Sequence, residues 1–201
     1  MPGPGGDPEL RPGFGDPVAD SQSVFREVLA AMSEPGTVRT VAVGLDAPAP
    51  LHPATAAVCL ALMDFETPVW LDAVACTGAV RTWLRFHCGC PLVADPAAAR
   101  FAVAADPVKL PPLDGFAAGS EAYPDEGATL VLQVGSLDGG MPVTVTGPGI
   151  PGERSFGPED VTRDFWHQRR ALEDLFPQGL DLVFTSGVGL AALPRSTLGR
   201  W

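Results

Sequence analysis

Residues 128–146 read ATLVLQVGSLDGGMPVTVT. Two runs of Val, Leu and Thr flank SLDGGMP, and runs of this kind bounded by Gly and Asp predict strands at 128–134 and 143–146. Asp138-Gly139 inside the short connection predicts a hairpin between them. The pattern returns near the C-terminus. LVFT (182–185) and LAAL (190–193) lie on either side of Ser186-Gly187, which predicts a second hairpin.

Upstream of these pairs, helices and strands interleave. Val24, Phe25, Val28, Leu29 and Met32 recur at helical spacing behind Asp20 or Ser21 as a cap, and Pro35-Gly36 ends the run. A strand follows at 38–43. Pro53 opens a helix reaching Met63, since proline suits the first helical position. TPVWL (67–71) is a strand, 77–85 a short helix with Val80, Trp83 and Leu84, and 92–94 and 101–104 are short strands. Residues 106–127 form a loop rich in Pro, Gly and Asp, and 161–176 is a helix. Such interleaving with late hairpins implies an α/β fold of three layers, α/β/α, around a mixed sheet. There is no internal repeat. Residues 1–19 hold the run MPGPGGDPELRPGFGDP and are expected to be a disordered tail, leaving 20–201 as a single domain.

The chain has 201 residues, of which 46% are hydrophobic and only 18% charged, with a net charge of −11. Nucleic-acid affinity is dominated by cations, so this balance argues against that class of partner. A single lysine, Lys109, among 13 basic residues argues against a polybasic membrane patch. The longest apolar run, 56–63, is far below the roughly 18 residues of a membrane span. MPGPGGDPEL lacks the pattern of a secretory signal, and four cysteines do not make a disulfide scaffold, so a cytoplasmic location with reduced thiols is expected.

Chemistry-bearing motifs are few. GPGIPG (147–152) matches G-x-G-x-x-G after a strand, but Pro148 and Pro151 remove backbone donors and no helix begins within it. A rigid strand exit is the better reading, with Gly147 and Gly149 left as candidates to meet an anion or a partner. HCGC (87–90) crowds three donors together without a second ligand pair, so a helix-to-strand turn is preferred over a metal site, with His87 ending the helix and the thiols packed inward. Lys109, in VKLPPLDG, is the sole candidate for a Schiff base and reads better as an exposed lysine. His167, beside Arg169 and Arg170, reads as a solvated or interface residue. Arg195 and Ser196, in PRST, could clamp a phosphate or pair with an acid at a subunit contact.

Several stretches together resemble one family. FREVLAAMSEPGTV (25–38), ETPVWL (66–71), RFHCGCPLV (85–93), GATLVLQV (127–134), SLDGGMPVTVTGPGI (136–150), FPQGLDLVFTSG (176–187) and ALPRSTL (192–198) are similar, in order, to the H subunits of bacterial carbon–phosphorus lyase, the PhnH family. The resemblance implies a shortened version of the large domain of pyridoxal-phosphate-dependent transferases, forming a homodimer without a cofactor. It also implies a non-catalytic scaffolding role in phosphonate catabolism. The partners would be the G, I and J subunits, in the step that joins a phosphonate to the ribose of ATP. The family usually carries small non-thiol residues at 88 and 90, and PRTT where this chain has PRST.

Overall fold

The computed structural model describes residues 10–200. A seven-stranded sheet forms its middle layer, in the order β1 (Arg39–Thr40), β9 (Gly189–Leu193), β8 (Asp181–Ser186), β5 (Thr129–Gln133), β4 (Phe101–Ala104), β2 (Val69–Leu71), β3 (Leu92–Val93). From β8 through β3 all neighbours are parallel, and β9 runs antiparallel to both β8 and β1. The sheet is therefore mixed, as expected.

Side chains alternate across this sheet. Val131, Val103 and Val183 join one apolar cluster, while Leu130, Leu132, Ala102 and Phe184 join the other. The first cluster is closed by α1 (Pro17–Ser33), α2 (Pro53–Leu62) and α3 (Gly78–His87), through Val24, Val28, Val58, Val80 and Trp83. The second is closed by one helix, α4 (Arg163–Ala171), and by a three-stranded antiparallel sheet, β10 (Leu198–Arg200), β6 (Val143–Thr146) and β7 (Arg154–Phe156).

The structure differs from the expected elements at four places. First, β5 and β6 do not form a hairpin. β5 pairs with β4 and β8, and β6 pairs with β7 and β10 in the other sheet. Leu130, Val131 and Leu132 are all fully buried, so β5 has apolar neighbours on both faces and on both edges, as a central parallel strand requires. The expected hairpin at 182–193 does form, with Ser186 opposite Gly189. Second, α1 starts at Pro17 because Asp16 accepts from the N–H groups of Val18 and Ala19, so helix begins ahead of Asp20. Of the expected tail, residues 1–9 lie outside the described residues. Arg11 and Pro12 offer their carbonyls to His87 and Trp83, and Phe14 packs on the core. Third, the strand expected at 38–43 shrinks to two residues. Fourth, α4 ends at Ala171, after which Glu173–Leu175 forms a 3-10 turn.

Candidate functional site

Three of the five residues singled out by sequence meet at one concavity. After β9, the chain turns through Pro194–Thr197 and enters β10, which pairs with β6. Gly147 directly follows β6 with φ +136°, and a Cβ there would lie 2.9 Å from the Ser196 carbonyl oxygen. Only glycine lets the two turns touch at this point. From behind, the buried Arg169 of α4 donates through Nη2 to the carbonyls of Pro194 (2.9 Å) and Thr197 (3.2 Å), and burial lowers its guanidinium pKa. Together with Pro148, Phe176 and Leu198, the residues Gly147, Arg195 and Ser196 line a concavity of about 340 Å³. Its rim is apolar, with Leu198 48% and Phe176 59% exposed.

Arg195 does not face this space as a free cation. Its Nε donates to both oxygens of Asp181 (3.2 and 3.1 Å), Nη2 donates to Oδ2 at 2.5 Å, and the backbone N–H reaches Oδ1 at 2.8 Å. Nη1 donates to the Pro124 carbonyl. The side chains of the pair are only 15% and 20% exposed. A guanidinium committed in this way ties β8 to the turns around it and has little fork left for a phosphate. The acid anticipated for Arg195 is therefore one of the chain's own.

Gly149 and His87 lie elsewhere. At φ +80°, Gly149 would place a Cβ 1.9 Å from the Ser33 carbonyl oxygen, so its role is close approach to the end of α1. GPGIPG links β6 to β7 with no helix after it, so it is a strand exit and not a dinucleotide loop. His87 is the last residue of α3. Its Nε2 meets the Arg11 carbonyl at 3.0 Å, and its ring packs on Trp83 and Phe86. The imidazole thus faces the N-terminal strap while Cys90 packs into the core, and no cluster of three or more metal-ligating side chains exists among the described residues.

In open α/β sheets ligands collect beyond the carboxyl ends of the strands. Here the chain's own polar groups occupy that place. Gln133, at the end of β5, accepts from the His52 N–H (2.6 Å) and the Thr55 hydroxyl (2.8 Å) and donates to the Pro50 carbonyl. Thr55 also meets Thr185 at 2.8 Å. These contacts fill the space ahead of α2, whose Ala54 N–H donates to the Gly187 carbonyl at 2.9 Å. The His52 Nδ1 accepts from the Gly187 N–H at 3.1 Å, and burial lowers the imidazole pKa. Beyond β2, Asp72 accepts from the Ala75 and Asp106 N–H groups. Lys109 is 79% exposed and ion-paired with Asp106, which raises its pKa, the opposite of what a Schiff-base lysine needs.

A second concavity, about 250 Å³, lies between α3 and the β2–β3 edge, lined by Trp70, Cys76, Arg81, Arg85 and Leu92 among others. Neither arginine has a hydrogen-bonding or ion-pair partner for its guanidinium among the described residues. Arg81 and Arg85, like Arg169, Asp181 and Gln133, belong to no chemistry-bearing motif of the sequence. Only the i, i+4 spacing of Arg81 and Arg85 was available to mark any of them in advance.

A mixed-sheet α/β protein with its strand-end crevice closed by its own side chains is the class that these features define. Within that class, the chain belongs to the family of bacterial phosphonate metabolism proteins (PhnH), whose model matches residues 12–199. It is 38% identical, over 187 residues and 92% of each chain, to the "Alpha-D-ribose 1-methylphosphonate 5-triphosphate synthase subunit PhnH" of Rhizobium meliloti (strain 1021). It is also 38% identical over 79 residues to the "Putative C-P lyase subunit protein HtxG" of Stutzerimonas stutzeri, covering 39% of this chain and 40% of that one. No described helix is long and apolar enough to cross a membrane.

Proposed function

We propose that this chain is a non-catalytic, shape-giving subunit of the assembly that makes ribose 1-alkylphosphonate 5-triphosphate from ATP and a phosphonate. Its partners are a second copy of itself and the G, I and J subunits of carbon–phosphorus lyase. The observation that carries the reading is the similarity, over 92% of the chain, to a protein named as a synthase subunit. Two features of the molecule support it. The crevice at the β2–β4 switch point, where this sheet type holds ligands, is occupied by Asp72, which accepts from the Ala75 and Asp106 N–H groups. The concavity at Gly147 and Ser196 has an apolar rim of the kind a protein surface covers. Mixing the purified chain with the G and I subunits at micromolar concentration and measuring the mass in solution tests the proposal. A stable complex is expected, and a chain that stays alone would overturn it.

A second reading is favoured by Arg81 and Arg85. Two arginines without ion pairs, one helical turn apart in a chain of net charge −11, could hold a phosphonate or the triphosphate of a nucleotide. Calorimetry with ATP and with methylphosphonate decides it. Heat that disappears in Arg81→Ala/Arg85→Ala but survives in Ser196→Ala would favour this site over the Gly147 turn, and no heat from either ligand would end it.

A further inference from the structure

Three of the four cysteines converge where the end of α2 meets the turn after α3. Cys59 and Cys90 are buried in the apolar cluster, and Cys88 is half-buried with its Sγ 3.7 Å from the Cys59 carbonyl oxygen. Cys88 caps α3 with φ −101° and ψ −24°, its N–H bonded to the Leu84 carbonyl. Gly89 follows in the left-handed region at φ +67°. A left-handed residue just past a helix end doubles the chain back and sends the next residue inward against the helix. Cys90 is that residue, at 2% exposure. Both thiols lie in the cluster that holds Cys59: the Cys88 S–H donates to the Cys59 carbonyl, and Cys90 is buried alongside. Residues two apart are at most about 7 Å between Cα atoms, and a left-handed centre shortens that toward the span a disulfide uses.

We propose that Cys88 and Cys90 are a redox-modification site, closing to an intramolecular disulfide when they meet a hydroperoxide. The two sulfurs divide the work by exposure and charge. The neighbouring Cys88 and Arg85 hold the Cys90 thiol below its ordinary pKa, while Cys88 is held above its own. Cys90 is therefore the sulfur that first carries negative charge, and Cys88 is the one that solvent reaches. As the Cys88 sulfur attacks one peroxide oxygen, its proton passes to the departing oxygen: an S–O bond forms, the O–O bond breaks and water leaves. The Cys90 thiolate then attacks the Cys88 sulfenic sulfur: the S–S bond forms, the S–O bond breaks, and hydroxide leaves. Two thiols are oxidised by two electrons and the peroxide is reduced. A ring this small is strained, which keeps the bond open to reduction by thiols. Cys59 stays out of the exchange, because burial raises its pKa and it lies in mid-helix.

Tryptic digestion separates the actors: residues 86–100 contain only Cys88 and Cys90, while residues 40–81 contain Cys59 and Cys76. After brief treatment of the folded chain with hydrogen peroxide and alkylation under denaturing conditions, peptide 86–100 should be two hydrogens lighter and take up no alkylating group. Prior reduction with dithiothreitol should restore two. Cys76→Ser should leave this result unchanged, and Cys88→Ser should abolish it with the helical circular dichroism intact. Peptide 86–100 carrying two alkyl groups after peroxide would overturn the proposal. So would one bearing only added oxygen, or one cross-linked to peptide 40–81. The wild-type mapping decides the matter even where a variant fails to fold.

Discussion

β8 and β9 turn back on each other across two residues, whereas β5 and β6 part across nine and enter different sheets. In the first pair, Gly187 and Val188 make the whole connection, and the ladder runs unbroken from Leu182–Leu193 to Ser186–Gly189. In the second, residues 134–142 spend their polar groups on a different segment. Gly135 donates to Asp160 (2.8 Å), Gly140 to the Gly157 carbonyl (2.9 Å), and Ser136 accepts from the Glu159 N–H (3.0 Å). Loop 134–142 is thus paired with loop 157–160 and cannot also close a hairpin. The Ser186 hydroxyl, bonded to the Gly135 carbonyl, ties the two regions together. The difference teaches that a turn motif decides a hairpin only when no third strand has a stronger claim on the edge it would use.

The largest expected effect tests what claims that edge. Leu132→Ala, at a fully buried position on β5, should cost about 3–4 kcal/mol in urea unfolding. Thr144→Ala, on the half-exposed face of β6, should cost well under about 1 kcal/mol. Equal costs would remove the distinction between a central and an outer strand. Next comes Gly140→Ala. Its Cβ would lie 2.1 Å from the Pro158 carbonyl oxygen, so the loop pair must open, at about 2–3 kcal/mol. The matching change in the true hairpin, Gly187→Ala, meets no atom within 4 Å and bears only the strain of φ +56°, about 1 kcal/mol. A larger loss at Gly187 than at Gly140 would reverse the contrast. The smallest effect is a pH dependence at the hairpin turn. His52 accepts from Gly187 as a neutral imidazole, with its folded pKa below the ordinary 6.5. Near pH 6 the unfolded chain binds more protons, so this stabilisation is complete above about pH 6.5 and declines as pH falls. His52→Asn supplies an acceptor that does not titrate, and should flatten the melting temperature between pH 7 and 5 relative to wild type.

Much of the fold was legible from local pattern. The apolar spacing of Val24, Val28, Val80, Trp83 and Leu84 marks the faces that α1 and α3 bury. Pro53 and Thr77 mark where α2 and α3 begin. Strands β7 and β10 were not legible, because three residues such as Arg154–Phe156 have no period to detect and are held by partners brought from elsewhere. Within the candidate site, Gly147, Arg195 and Ser196 could be chosen by residue type, but Arg195's commitment to Asp181 depends on β8 and the following turn lying side by side. Arg169 looks like any surface arginine in RDFWHQRRA until α4 seats it beneath Pro194 and Thr197.

By itself the sequence determined the helices, the 181–193 hairpin, the strand exit at GPGIPG and the turn at HCGC. Each depends on φ preferences and apolar spacing within a few residues of chain. Only the tertiary structure decided which strands are neighbours, which arginines remain unpaired and which polar groups close the strand-end crevice. Those outcomes depend on competition among groups far apart in sequence for the same edge, the same carboxylate or the same helix end, and that competition is settled when the layers pack.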